Sequence, residues 1–206
     1  MEPTIFSLWL DETFAAFDHA VLGAVHTLQQ SPAGVVLDPL ARLLGALGAG
    51  GVGLILLGLV LLALRPTRRV GLAVLLALAL GALATNVLLK PLVSRPRPYA
   101  DAADILHQWW LEAGAATESD ASFPSGHTTA TAAAMAGIFF SLRSRRRWLV
   151  WLAVAAMGWS RLALVVHYPT DVAAGALIGL AAGSAAAALA RRISRGRDWF
   201  DPSVSH

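Results

Sequence analysis

The sequence predicts an all-α membrane protein, a polytopic bundle of membrane-spanning helices, on three observations. First, 56% of the 206 residues are hydrophobic and only 14% are charged, whereas soluble domains carry about 25% charged residues. Second, mostly apolar stretches of about 20 residues, the length that crosses a bilayer, recur along the chain. Third, arginines cluster between those stretches. These features exclude a disordered chain and argue strongly against a water-soluble one.

The first predicted element, residues 5–30, is an amphipathic helix that lies on the membrane interface. Among its large apolar side chains the segment carries five ionisable ones, Asp11, Glu12, Asp18, His19 and His26. That content is too polar for a span, and we expect the helix to end near residues 31–32. No basic region precedes an apolar core, so the segment is not a removable signal peptide. The alternative is a degenerate sixth span.

Five membrane spans are predicted after this segment. They are Leu43–Leu64, Val70–Leu89, Thr128–Leu142 with a start near Ser125, Trp148–Val166 and Val172–Ala190. The last span carries Gly175, Gly179 and Gly183, a spacing that lets a neighbouring helix approach closely. We therefore expect one transmembrane domain over residues 38–190, an N-terminal segment over 1–37 and a basic tail over 191–206.

The arginines predict how the protein is oriented. Eleven of them lie in three clusters that a five-span count places on one side, while eleven of the thirteen acidic residues lie on the other. Because positive charge collects on the cytoplasmic side, the C-terminus is predicted inside and the N-terminus outside, in the plasma (inner) membrane. The net charge is only +3, and topology accounts for the arginine clusters, so no nucleic-acid partner is expected.

Eight residues, all polar except Gly126, lie at the ends of spans on the predicted periplasmic or exterior side, and we call them the rim. They are Lys90 and Arg97 after the second span, Ser125, Gly126 and His127 at the start of the third, and Arg161, His167 and Asp171 between the fourth and the fifth. Ionisable groups at such positions are costly and usually functional. Helices packed side by side would bring the eight residues together.

Five of the rim residues suit the binding of phosphate. Lys90, Arg97 and Arg161 are cations near no obvious acid, and arginine matches the geometry of phosphate oxygens. Ser125 is expected near the N-cap of the third span, whose free N–H groups add a second cradle. Gly126 would let the backbone approach the ligand. Lys90 is also the only lysine in the chain.

The other three rim residues suit phosphoryl transfer without a metal. Asp171 can hold one ring nitrogen of His167 and leave the other free as a nucleophile, and Pro169 suits the first turn of the helix that carries Asp171. His127 can protonate a leaving oxygen. The alternative is that the two histidines and the aspartate ligate zinc. The three cations already supply the charge that phosphate needs, so neither a metal nor another cofactor is expected.

Three motifs in the rim resemble the signatures of the type 2 phosphatidic acid phosphatase (PAP2) superfamily. They are K-x6-R-P at residues 90–98, P-S-G-H at 124–127 and S-R-x5-H-x3-D at 160–171, complete and in order. The resemblance covers about residues 38–190 and implies an all-α core with its site at the outer surface. It implies a phosphohistidine at His167 supported by Asp171, with His127 as acid and then base. It also implies that Lys90, Arg97, Ser125, Gly126 and Arg161 bind phosphate.

The resemblance and the outward site predict a phosphatase of lipid phosphates in the outer leaflet. The leading hypothesis is hydrolysis of undecaprenyl or decaprenyl diphosphate to the monophosphate, which recycles the carrier lipid of cell-wall synthesis. The alternatives are a phosphatidylglycerophosphate or phosphatidic acid phosphatase, a lipid phosphotransferase and a non-catalytic lipid-phosphate carrier. The intact His127, His167 and Asp171 argue against a carrier, because binding alone needs no nucleophile. The sequence leaves the oligomeric state open.

Overall fold

The computed structural model describes residues 3–195, and every regular element in that range is helical, which confirms the predicted class. The α-helices are α1 (Ile5–Gln29), α2 (Gly34–Gly48), α3 (Val52–Ala63), α4 (Arg68–Ala82), α5 (Lys90–Val93), α6 (Ile105–Ala113), α7 (Gly126–Ser141), α8 (Val150–Ala163) and α9 (Pro169–Ser194). A π-helix, Leu83–Leu89, joins α4 to α5. Short 3-10 helices precede α3, α4 and α8.

Helix α7 lies at the centre of the bundle and packs against α4, α8 and α9. Its contact with α9 depends on the predicted glycine stripe. A Cβ added to Gly179 would lie 2.6 Å from the carbonyl oxygen of Thr129, and one added to Gly183 would lie 2.5 Å from that of Ala133. Because no Cβ fits at these distances, the two helices meet backbone to backbone. The packing role predicted for the stripe is confirmed.

The outer faces of the helices suit a lipid environment. Large apolar side chains such as Leu152 and Leu177 are exposed, at 66% and 67%, where a water-soluble protein would carry polar ones. Three helical stretches of the described residues are long and apolar enough to cross a membrane, Gly34–Ala63, Arg65–Val93 and Pro169–Ser194. The protein is an integral membrane protein. The count of five spans and their orientation stay predictions.

Two predicted spans differ in detail from the helices. The span predicted as continuous over Leu43–Leu64 begins at Gly34 and is interrupted at Gly50, where φ is 60°. Glycine adopts that φ without steric cost, so an apolar pattern alone does not reveal the break. The fourth predicted span ends at Ala163 rather than Val166, because Val165 takes a left-handed φ of 52° and terminates α8.

The N-terminal segment forms helix α1, as predicted, and contacts the rim end of the bundle at both of its own ends. Thr4, its N-cap, donates to the carbonyl of Val93 at 2.6 Å. Gln29, its last residue, donates to the carbonyl of Ala163 at 3.1 Å. A helix of 25 residues is about 38 Å long, so it lies across this end of the bundle. Its placement on the membrane interface stays a prediction.

The predicted domain boundaries fall inside helices. Helix α2 begins before residue 38 and α9 continues past residue 190 to Ser194. Both boundaries were placed by composition, which changes more gradually than the hydrogen bonding of a helix. Residues 196–206 of the predicted basic tail lie outside the described residues.

Candidate active site

The eight rim residues lie at one end of the bundle, where α5, α7, α8 and α9 begin or end. Nη1 of Arg97 lies 3.2 Å from Nε2 of His167, 70 positions later in the chain. The backbone N–H of Ser125 donates to the carbonyl of Asp171 at 3.1 Å. The fold therefore joins all three motifs, as the sequence predicts.

The N-terminus of α7 forms one wall of the site. Ser125 is its N-cap, as predicted, and the Ser125 Oγ accepts a hydrogen bond from the N–H of Thr128 at 3.4 Å. Gly126 is the first helical residue, and a Cβ there would lie 3.9 Å from Nζ of Lys90. The missing side chain leaves the helix terminus and the ammonium group open to the same ligand.

His167 is completely buried between Arg97 and Asp171. Its Nδ1 lies 3.7 Å from Oδ2 of Asp171, facing it as predicted but beyond hydrogen-bond distance, and makes no hydrogen bond within residues 3–195. Burial holds the pKa of the imidazole below its ordinary 6.5, and the charge of Arg97 acts in the same direction against that of Asp171. The ring is therefore neutral at neutral pH, the form a nucleophile needs.

The carboxylate of Asp171 is also completely buried. Its Oδ1 accepts a hydrogen bond from Nη1 of Arg95 at 2.7 Å. Its Oδ2 accepts from Oγ of Ser122 at 2.5 Å and from the N–H of Tyr168 at 2.9 Å. Neither of the side-chain donors, Arg95 and Ser122, was predicted from the sequence. Arg95 lies within the first motif, two residues before Arg97, and this repeated Arg-Pro was the available signal.

The expectation that the three cations lie near no acid is wrong. Asp120 accepts hydrogen bonds from Lys90 and, at 2.5 Å, from Arg97. Glu118 accepts from Arg97 at 2.7 Å, and its second oxygen lies 3.8 Å from Nη1 of Arg161. Both acids belong to the loop between α6 and α7, which folds back over the rim. Such a contact between distant segments leaves no local pattern in the sequence.

The cations keep both carboxylates charged. Burial raises the pKa of Glu118, but the positive charges near it, that of Arg97 foremost, outweigh burial and hold that pKa below its ordinary 4.5. Burial also raises the pKa of Asp120, but the hydrogen bonds and charges of Lys90 and Arg97 outweigh burial and hold that pKa below its ordinary 3.8. Both carboxylates therefore accept hydrogen bonds from the cations that would bind a phosphate. A phosphate that binds to these cations has to displace the carboxylates.

Two cavities adjoin His127 and Glu118. The first has a volume of about 480 Å³ and extends from Lys90 towards apolar side chains of α3 and α4, among them Ile55, Leu75 and Leu78. The second, of about 470 Å³, leads past Arg161 to Arg42. His127 thus stands where both cavities reach the site.

The second cavity is lined mainly by small residues of α2 and of the loop after α6, such as Gly45, Ala46 and Ala115. Arg161 packs directly on α2, because a Cβ on Gly45 would lie 2.2 Å from Nη2 of Arg161. Arg42 precedes Gly45 by about one helical turn. The cavity is therefore lined by two guanidinium groups, those of Arg42 and Arg161.

The described residues offer no group of three or more His, Cys, Asp or Glu side chains placed to hold a metal ion. The alternative that His127, His167 and Asp171 ligate zinc therefore has no support from their placement. Arg97 faces the ring of His167, and Arg95 contacts the carboxylate of Asp171.

Comparison with known proteins agrees with this geometry. The chain matches the PAP2 superfamily over residues 70–195. It is 36% identical over 144 residues to decaprenylphosphoryl-5-phosphoribose phosphatase of Mycobacterium tuberculosis, covering 70% of this chain and 75% of that protein. Over 64 residues, 31% of this chain and 30% of the relative, it is 47% identical to the bacitracin transport permease protein BcrC of Bacillus licheniformis.

Two solved structures share the fold. One is the transmembrane PAP2 type phosphatidylglycerolphosphate phosphatase of Bacillus subtilis, with a TM-score of 0.69, 26% identity and 94% of each chain covered. The other is LpxE of Aquifex aeolicus, with a TM-score of 0.61, 24% identity, and coverage of 81% of this chain and 92% of that one. The family match spans more than half of the chain. The chain therefore belongs to the PAP2 superfamily and is a membrane lipid phosphatase.

Proposed function

We propose that the protein removes phosphate from a polyprenyl-linked lipid in the outer leaflet, through a phosphohistidine on His167. The observation that carries the proposal is the placement of His167. It is buried and neutral, and its Nε2 lies 3.2 Å from Nη1 of Arg97. The residue before it in the chain, Val166, lines the second cavity. A nucleophile so placed is held beside a group that binds and polarises a phosphate.

The first chemical step transfers the phosphoryl group to the enzyme. Nε2 of His167 attacks phosphorus while the bond from phosphorus to the leaving oxygen breaks. His127 donates a proton to that oxygen. The product is therefore an alcohol if the substrate is a phosphate ester, or a monophosphate if it is a diphosphate. The ring gains positive charge, which the carboxylate of Asp171, facing Nδ1, stabilises.

The second step returns the enzyme to its starting state. A water molecule attacks the phosphohistidine, His127 takes the proton from that water, and the bond from Nε2 to phosphorus breaks. Inorganic phosphate leaves and His167 is neutral again. Throughout both steps, Lys90, Arg97 and Arg161 hold the phosphate oxygens, with the Ser125 hydroxyl and the N–H of Gly126. No step requires a metal ion.

The proposed substrate is a polyprenyl diphosphate, hydrolysed to the monophosphate. The first cavity supports this choice, because it joins Lys90 to an apolar end at Ile55, Leu75 and Leu78. A terminal phosphate at the cations would then leave the start of the prenyl chain against apolar side chains. Recycling of the carrier lipid of cell-wall synthesis requires that product on the outer leaflet.

The second cavity favours one further candidate, a lipid that carries its phosphate ester on a sugar. A relative that is 36% identical is a decaprenylphosphoryl-5-phosphoribose phosphatase, so its substrate has a sugar and a second phosphate between the reacting phosphate and the lipid. The cavity from Arg161 to Arg42 offers room for such a headgroup and a cation for its second phosphate.

A comparison of phosphate release tests the proposal. Wild type and His167→Ala are assayed in one detergent on undecaprenyl diphosphate, decaprenylphosphoryl-5-phosphoribose, phosphatidylglycerophosphate and phosphatidic acid. We expect the polyprenyl lipids to be hydrolysed with the highest kcat/KM, and His167→Ala to lose activity by about 10⁴-fold or more while remaining folded. A preference for the glycerolipids contradicts the substrate, and an active His167→Ala contradicts the phosphohistidine.

Replacement of Arg42 distinguishes the two polyprenyl substrates. Arg42→Gln removes a cation that lines the second cavity and is not a rim residue. It also removes the hydrogen bond from Nε of Arg42 to the carbonyl of Ala113 at 3.0 Å, so the variant is first checked for folding. If the headgroup lies in that cavity, KM for decaprenylphosphoryl-5-phosphoribose rises about tenfold, as expected for loss of a charged hydrogen bond, and KM for undecaprenyl diphosphate does not. Equal effects on both lipids would exclude Arg42 as a headgroup contact.

A further inference from the structure

Arg95 is a buried cation that the predicted mechanism leaves without a role. It occupies an unspecified position of the K-x6-R-P motif, and its side chain is only 1% exposed. It donates to three carboxylates, from Nε to Asp11 at 2.7 Å, from Nη2 to Asp18 at 2.9 Å and from Nη1 to Asp171 at 2.7 Å. One guanidinium group thus connects α1 to the carboxylate that faces the nucleophile.

Asp18 ties this network to the start of α9. Its side chain is completely buried, and its two oxygens accept hydrogen bonds from the N–H and the hydroxyl of Thr170, at 3.0 and 2.8 Å. Nη1 of Arg95 also donates to the Thr170 hydroxyl at 2.8 Å. Thr170, the residue before Asp171, is therefore held by Asp18 of α1 and by Arg95 of the first motif.

The ring of Tyr168 also contacts the guanidinium group of Arg95 and fixes its plane. Cζ of Arg95 lies 3.9 Å from the ring centroid of Tyr168, a cation–π distance. The N–H of Tyr168 donates to Asp171 at 2.9 Å. Because arginine presents its donors in a rigid fork, fixing its plane also fixes the direction from which it meets Oδ1 of Asp171.

We propose that Arg95 and Asp18 are positioning residues of the phosphatase reaction. Asp18 and Asp11 of α1 orient Arg95, Arg95 orients the carboxylate of Asp171, and that carboxylate sets the ring of His167 for attack. Helix α1 thus supports the catalytic centre through Arg95. The inference rests on the proposed role of His167 as the nucleophile.

A purely structural role for the network predicts a different result. If Arg95 only fastened α1 to the bundle, its loss would reduce the amount of folded protein without changing the turnover of each folded molecule. If it positions Asp171, kcat per folded molecule falls while KM for the lipid changes little, because the phosphate-binding side chains are untouched. The split between kcat and KM therefore separates the two roles.

The test compares three variants of α1 in the full-length protein. Asp18→Asn keeps the shape of the side chain and removes its charge. Asp11→Asn does the same at a position that is 39% exposed and makes one contact with Arg95. Glu12→Gln is the matched control, since this neighbouring acid is exposed. We expect Asp18→Asn to lower kcat by about tenfold or more, Asp11→Asn to lower it by less and Glu12→Gln to leave it unchanged. KM is expected to stay within about twofold of wild type in all three.

Arg95 itself is tested by chemical rescue, which does not depend on the α1 variants. Arg95→Gly is expected to lose most of its kcat, and added guanidinium chloride to restore part of it, whereas equal sodium chloride restores none. Unchanged kcat in folded Asp18→Asn, or the absence of rescue in folded Arg95→Gly, overturns the positioning role and leaves the phosphatase mechanism intact. Activity in His167→Ala overturns the proposed function instead, and the positioning role with it.

Discussion

Lys90 shows how one side chain type is matched to its position. It is the only lysine among sixteen basic residues, and it is buried against the N-terminus of α7, 3.9 Å from the point that a Cβ on Gly126 would occupy. An ammonium group is compact and can donate in several directions, whereas a guanidinium group is broad and planar. The site at the helix terminus therefore suits lysine.

We predict that Lys90→Arg is not a conservative change. The guanidinium group would crowd the terminus of α7 and the loop that carries Asp120, so kcat/KM for the lipid is expected to fall by about tenfold or more. Arg69→Lys, an exposed reciprocal exchange, serves as the control and is expected to retain wild-type kcat/KM. A wild-type value in Lys90→Arg would show that the lysine is interchangeable.

Some residues of the site could be placed there from the sequence and others could not. All eight rim residues could be predicted, because fixed spacings place them at the ends of apolar stretches. Glu118 and Asp120 could not be assigned, because a loop with few local constraints brings them to Lys90 and Arg97. Asp18 was treated as a sign of an interfacial helix, because its partner Arg95 lies 77 positions away.

At the scale of elements, the loop between α6 and α7 pairs two carboxylates with the cations of the rim. Its carboxylates at Glu118 and Asp120 accept hydrogen bonds from donors that phosphate would need. We predict that Asp120→Asn strengthens inhibition by inorganic phosphate, because the amide competes less well for Lys90 and Arg97. The expected result is a severalfold lower inhibition constant, an effect of about 1 kcal/mol. Asp101→Asn, an exposed acid of the same outer segment, is expected to change nothing.

The same loop gives a prediction for acid pH. The pKa values of Glu118 and Asp120 lie below 4.5 and 3.8. Groups with lowered pKa stabilise the folded state above their ordinary pKa, and this contribution is lost as pH falls through the lowered value. We therefore expect the loop to stay closed from neutral pH to below about pH 4 and to open at lower pH. Hydrogen exchange of residues 115–123, corrected for intrinsic rates, measures the opening.

A control variant separates this opening from general acid unfolding. In the double variant Glu118→Gln, Asp120→Asn, the loop carries no titrating carboxylate at the site, so its exchange is expected to be fast at every pH. Exchange in α7 is expected to stay slow in both proteins over the same range. Equal pH dependence in wild type and the double variant would contradict the assignment.

At the scale of the whole molecule, apolar pattern could predict the helical bundle and the glycine stripe but not the course of each helix. The break at Gly50 and the left-handed turn at Val165 depend on single backbone angles. Such angles are settled by packing between distant helices, which a hydropathy pattern does not record. The position of α1 across the rim likewise depends on contacts with Val93 and Ala163.

The orientation of the whole protein is the last prediction. The five-span count places eleven arginines on one side and the rim on the other, and the positive-inside bias then directs the rim outward. Ser119, in the loop over the site, and Ser144, between α7 and α8, are both exposed in a chain without cysteine. Single cysteines at the two positions therefore form a matched pair. An impermeant thiol reagent on intact cells is expected to label position 119 and to spare position 144. The reverse pattern would place the site in the cytoplasm and contradict the proposed action on outer-leaflet lipids.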